Sequence, residues 1–145
     1  MYGGLLHAHS GLRWLVLVFL IWAIANAFSK KNQTTASKSD KMPVLLGLIF
    51  THLQLVFGFI LYFISPKVHF NPGFMKETVT RFYAMEHISL MLIAIVLITI
   101  GYSKFKRASS PELGQKAVLF YYGLGLLLIL ISIPWPFRIA GAAWF

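Results

Sequence analysis

Three histidines, His9, His52 and His87, fall inside long apolar stretches of this 145-residue chain. A neutral imidazole in hydrocarbon still carries one donor and one acceptor that need partners, so such rings face a bundle interior. There they bind a metal or haem, relay protons or bridge helices by hydrogen bonds. Imidazoles from different helices, meeting at one depth, are the usual axial ligands of a b-type haem held without covalent attachment. His9 with His87 is the first geometric choice for such a pair; His52 with either of them comes next. A copper, iron or zinc site built from His9, His52, His87 and Glu86 is the alternative that nitrogen and oxygen ligands allow.

Charged residues near these rings extend the chemistry. Arg13 follows His9 by one helical turn on the same face, and Arg81 opens the third apolar segment. Either guanidinium could hold a haem propionate or an acidic lipid headgroup through paired hydrogen bonds. Snorkelling to the interface also accounts for Arg81. Glu86 is the one acidic residue within the apolar spans as read here; an ion pair with Arg13 or Arg81, an orienting bond to a histidine and proton exchange all stay open. Met85 and Met91 flank His87 and read as packing residues, while His7 and His69 read as solvated.

The elements that must position these groups are written in the composition. With 58% hydrophobic, 16% aromatic and only 12% charged residues, and a mean hydropathy of +0.73, the chain describes an integral membrane protein rather than a water-soluble domain. Residues 1–145 form one membrane domain. The absence of cysteine excludes disulfides, Cys-ligated iron–sulfur clusters, a thiolate nucleophile and covalent c-type haem attachment. Four apolar runs, about residues 5–28, 43–64, 82–103 and 117–133, have the length of a hydrocarbon core and predict an all-α, four-helix, up-down transmembrane bundle. The first run lacks a basic flank and a cleavage signature, and reads as a retained helix. Pro43 is taken as the opening of the second, while Ser65-Pro66 and Pro134-Trp135-Pro136 close the second and fourth.

Charge orients the bundle. Lys30, Lys31, Lys38 and Lys41 lie between the first two helices, and Lys104, Lys106, Arg107 and Lys116 between the last two. Both loops are expected in the cytoplasm, with both termini on the outer, periplasmic side of a bacterial inner membrane. Topology and anionic lipid thus account for most of the formal charge of +9, and no nucleic acid is required, since the cations are dispersed over short loops. The segment from Lys30 to Lys41 reads as a flexible linker. Tyr2, Trp14, Tyr62, Tyr83, Trp135, Phe137, Trp144 and Phe145 form an interfacial belt at the outer end. On this topology His9 and His87 share a depth of roughly 6 to 8 Å inside that end, and His52 lies roughly 18 Å in. Gly47, Thr51, Gln54 and Gly58 make a stripe of small and polar residues that admits a neighbouring helix.

The segments Leu6-His7-Ala8-His9-Ser10-Gly11-Leu12-Arg13-Trp14, Thr51-His52-Leu53-Gln54-Leu55 and Arg81-Phe82-Tyr83-Ala84-Met85-Glu86-His87, with the ending Ile133-Pro134-Trp135-Pro136-Phe137, resemble small bacterial four-helix membrane proteins labelled cytochrome b-like. That resemblance implies a haem b-binding or respiratory-chain-associated role carried by His9, His52 and His87. The second helix has one histidine where two-haem membrane cytochromes b have two, so one haem is implied at most. The expected function is therefore one b-type haem in the bundle, serving electron transfer or haem sensing. The rival from another class is a non-enzymatic subunit or assembly factor of a respiratory complex, alone or as a homo-oligomer. No Ser-His-Asp arrangement, HExxH sequence, phosphate-cradling loop or nucleotide fingerprint is present, and no autonomous enzyme activity is expected.

Overall fold

The computed structural model describes residues 1–35, 37–142 and 144. Phe145, one of the aromatics assigned to the belt, lies outside the described residues. Four helices are long and apolar enough to cross a membrane: α1 (Tyr2–Lys30), α2 (Lys38–Ile64), α3 (Thr78–Arg107) and α4 (Pro111–Ser132). No strand occurs among the described residues. The chain is thus an all-helical multi-pass membrane protein by length and composition, and its surface agrees: Val18, Ile21, Phe28, Val56, Phe63, Ile93, Val96 and Phe120 are among the exposed large side chains. In water this surface would cost much of the folding free energy; in lipid it meets its own kind.

The helices start earlier than the apolar runs do, and for α2 and α4 the reason is that polar capping residues lie outside a hydropathy window. Ser37 accepts from the Ser39 backbone N–H, and the Asp40 side chain accepts from the Ser37 backbone N–H, a capping box that begins α2 five residues before Pro43. Pro43 is therefore buried inside the helix and is not its opening. Asp40 also accepts from the Lys30 ammonium at the end of α1, so the two helix ends are tied and only a short connection remains of the expected linker. Ser110 caps α4 through the Leu113 backbone N–H, with Pro111 at the first helical position, where its missing donor costs nothing.

α1 packs lengthwise on both α2 and α4, and α3 packs on α4; α2 and α3 meet only sparsely. Residues Val16, Leu17, Leu20, Ala23 and Ala27 form one stripe of α1 at three- and four-residue steps, and they build the core with Val44, Ala94, Ile98, Val118, Tyr122 and Ile129. Two glycines fix the α3–α4 crossing. A methyl group on Gly101 would lie 2.6 Å from Tyr121 Cβ, and one on Gly125 would lie 2.7 Å from Ile98 Cγ1, so these backbones approach as closely as they do because both residues lack a side chain. The buried Tyr122 hydroxyl donates to the Val44 carbonyl at 2.7 Å, a polar tie between α4 and α2 in the dry interior. Tyr2 bonds Ser65 at the end of α2, and Lys67 reaches the Gly141 carbonyl. The amino terminus, the α2–α3 connection and the carboxyl-terminal tail thus gather at one end of the bundle, opposite the lysine-rich end.

Candidate functional site

Between α2 and α3, in the half of the bundle that holds the termini, lies a cleft of about 190 Å³. Its walls are mostly apolar, with Leu55, Phe59, Met91, Leu92 and Ile95 along its length. Phe59 and Leu92 are also exposed on the outer face, so the cleft opens sideways where the two helices fail to pack. Its polar groups include His9, Arg13, Gln54 and His87, and Tyr2, Ser10, Thr51, Tyr62, Ser65, Lys67 and Tyr83 also line it.

His9 and His87 meet there. Their ring centres are 6.5 Å apart and their planes cross at 77°. Two imidazoles joined through one metal ion by bonds of about 2 Å each have centres separated by about this distance. His87 Nδ1 donates to the Ser132 carbonyl at 2.7 Å, which places the proton on Nδ1 and leaves the lone pair of Nε2 uncommitted among the described residues. Ligating histidines are normally oriented by such a bond from the other ring nitrogen to a backbone carbonyl. The Ser132 hydroxyl completes the hold by donating to the His87 carbonyl at 3.2 Å. On the opposite wall, Gln54 donates to the His9 carbonyl at 2.9 Å and lies 3.3 Å from His9 Nε2. His9 Nδ1 is buried with no hydrogen-bond partner among the described residues, a polar deficit that native interiors rarely tolerate without a bound group. Gly58 lets the ring in, since a methyl group there would stand 3.2 Å from His9 Cε1. The small and polar stripe of α2 therefore faces α1 and serves the histidine directly.

A local irregularity sets the approach of His87. Residues Phe82–Glu86 form one turn of π-helix inside α3, and the His87 backbone N–H bonds back to Phe82. The wider turn also brings Arg81 Nε and Glu86 Oε1, five residues apart, to 2.8 Å. π-turns inside helices are rare and cluster at functional sites. No periodic pattern in the sequence signals this one.

The structure distributes the other expected residues over different places. His52 bonds the Leu48 carbonyl through Nδ1 at 2.9 Å, and its Nε2 lies 3.4 Å from the Thr99 hydroxyl, so it bridges α2 to α3 and does not line the cleft. Glu86 is taken up by Arg81, which also donates to the Met75 carbonyl. Among the described residues no three His, Cys, Asp or Glu side chains gather as a metal site needs. His69, expected in solvent, is half-buried and lies 3.2 Å from the Thr80 hydroxyl and 3.6 Å from a Glu77 carboxylate oxygen.

Arg13 is buried, with 7% of its surface exposed, and lines the cleft one turn from His9. Its Nη2 donates to the Trp144 carbonyl at 2.6 Å. Trp14 and Trp135 stand 5.4 and 5.9 Å from the guanidinium carbon, and Trp144 stacks on Trp14. Two aromatics of the expected belt thus lie over the cation, and the third packs on both and supplies its backbone carbonyl. Trp144 is 131 positions from Arg13, and no spacing rule could have joined them.

Of the two imidazoles, with ring centres 6.5 Å apart, His87 offers an Nε2 free among the described residues with its ring oriented by a carbonyl, and His9 must exchange the Gln54 contact at its Nε2 to offer the same to a haem. Small-molecule sites usually enclose roughly 300–1,000 Å³, so room for a macrocycle requires α2 and α3 to part along their sparse contact. Scanned against models of protein families, the chain matches none, and neither the search of curated proteins nor that of solved structures finds a similar protein.

Proposed function

We propose that this protein holds a single b-type haem between His9 and His87 and serves electron transfer or haem sensing. The observation that carries the reading is the pair of imidazoles with ring centres 6.5 Å apart, with His87 Nδ1 bonded to a backbone carbonyl. A bound haem supplies reversible one-electron chemistry at its iron, and axial ligation and burial tune its potential. The chain's own contribution is to present two ring nitrogens, keep His87 in one tautomer and exclude water with the apolar walls of α2 and α3. The likeness of its histidine segments to cytochrome b-like membrane proteins supports the same reading. The proposed setting is a bacterial cytoplasmic membrane, with the lysine-rich end in the cytoplasm and both termini in the periplasm.

The test is the visible spectrum of protein purified in mild detergent from haem-supplied cells. A reducible Soret band with sharp alpha and beta bands is expected. His9→Ala and His87→Ala should each lower haem retention at least about tenfold, the scale on which even orienting partners of a metal ligand act. His52→Ala should leave the spectrum unchanged, because His52 is engaged with Thr99 and Leu48. A repeatedly colourless sample overturns the reading.

A second reading, a non-enzymatic subunit or assembly factor, draws on His52, which bridges α2 to α3, and on Glu86, which is paired with Arg81 inside α3. It predicts that the protein co-purifies with a larger complex while remaining colourless.

A further inference from the structure

Arg13 is the one buried cation among the described residues without an opposite charge. The chain has only four acidic side chains, and each is engaged elsewhere: Asp40 with Lys30, Glu77 with His69, Glu86 with Arg81 and Glu112 with Lys116. Taking a guanidinium out of water costs several kcal/mol even after the surroundings relax. One carbonyl and the faces of Trp14 and Trp135 offset part of that, yet Nε is buried and has no hydrogen-bond partner among the described residues. The same side chain lines the cleft. A buried guanidinium with no opposite charge among the described residues, at the polar end of an apolar cleft, matches a ligand with an acid group at one end and an apolar body.

We propose that Arg13 is an anion-binding residue, and that the cleft takes an amphiphile whose carboxylate or phosphate oxygens bond Arg13 while its apolar body lies between α2 and α3. The planar guanidinium suits two acid oxygens, which an ammonium cannot engage in the same paired fashion. The position now taken by the Trp144 carbonyl is that of one of these oxygens, and the tail beyond α4 yields it. Ile139 is buried and Gly141 turns with a positive φ of 74°, so the tail is folded down as a cap over the same end, with Gly141 and Ala142 lining the cleft. If the body is a haem, the acid group is a propionate, and in that form the inference rests on the haem reading; for a single-chain lipid acid or an acidic phospholipid it stands by itself.

Fluorescence of Trp14, Trp135 and Trp144 reports the site. Full-length protein in neutral detergent is titrated with haem, with haem dimethyl ester, whose acids are masked, and separately with oleate, phosphatidylglycerol and neutral phosphatidylcholine. Wild type should bind haem at least tenfold more tightly than the ester; Arg13→Gln should lose that preference, and Arg13→Lys should keep only part of it. Equal affinity of wild type for haem and ester overturns the inference in its propionate form, and this comparison needs no variant to fold. If neither porphyrin binds, the haem reading fails and the lipid arms decide. A tenfold preference for oleate or phosphatidylglycerol over phosphatidylcholine, lost in Arg13→Gln, supports the anion site, and no preference for either acid overturns it.

Discussion

His87 shows what a single polar residue needs in a dry interior. Its Nδ1 proton has a carbonyl at 2.7 Å, and its carbonyl has the Ser132 hydroxyl. His9 is held less completely, since one of its nitrogens is buried without a partner among the described residues. That both rings stand at one level was legible from the sequence, because depth follows from counting 1.5 Å per residue from the helix end. The gathering of Trp14, Trp135 and Trp144 at Arg13 was not: aromatic residues near a span end have an ordinary explanation at the interface, and only the folded tail brings in the third, through its carbonyl. Tyr122 gives a prediction at this scale. Its buried hydroxyl donates to the Val44 carbonyl, so Tyr122→Phe should destabilise the bundle by about 1 kcal/mol with packing otherwise intact. Thermal unfolding in detergent measures it.

At the scale of elements, the apolar windows located all four helices, whereas their ends at the lysine-rich side had to come from capping chemistry. Ser37 with Asp40 and Ser110 with Pro111 are start signals present in the sequence. They were outweighed there by the charged residues around them, which lower hydropathy without weakening a helix. The π-turn at Phe82–Glu86 had no such signal, since any pattern analysis assumes 3.6 residues per turn. α3 and α4 depend on their glycines. Gly125→Val places atoms against Ile98 and the Ala94 carbonyl and should cost about 1–3 kcal/mol. Gly123→Ala, two residues away with nothing within 4 Å, should be neutral or slightly stabilising through helix propensity alone. Comparing the two melting temperatures separates steric crowding from the general effect of losing a glycine.

The whole molecule is an asymmetric bundle: α1 is central, α4 joins it to α3, and the remaining side between α2 and α3 is left thin. Fold class was legible because 58% apolar residues divided by polar loops admit little else. Which side of the ring stayed open was not, because it depends on which glycine and alanine faces meet across helices. Orientation in the membrane is a prediction of this scale. Because the chain has no cysteine, Thr34→Cys and Asn71→Cys each introduce one labelling site. In intact cells a membrane-impermeant thiol reagent should modify the Asn71 variant and spare the Thr34 variant; the reverse pattern inverts the proposed topology.

The sideways mouth framed by Phe59 and Leu92 has a consequence for supply. A guest that dissolves in the bilayer arrives by diffusing in two dimensions and never crosses the aqueous phase. Loading then tracks the guest's mole fraction among the surrounding lipids, so diluting the membrane with inert lipid empties the protein while diluting the buffer does not.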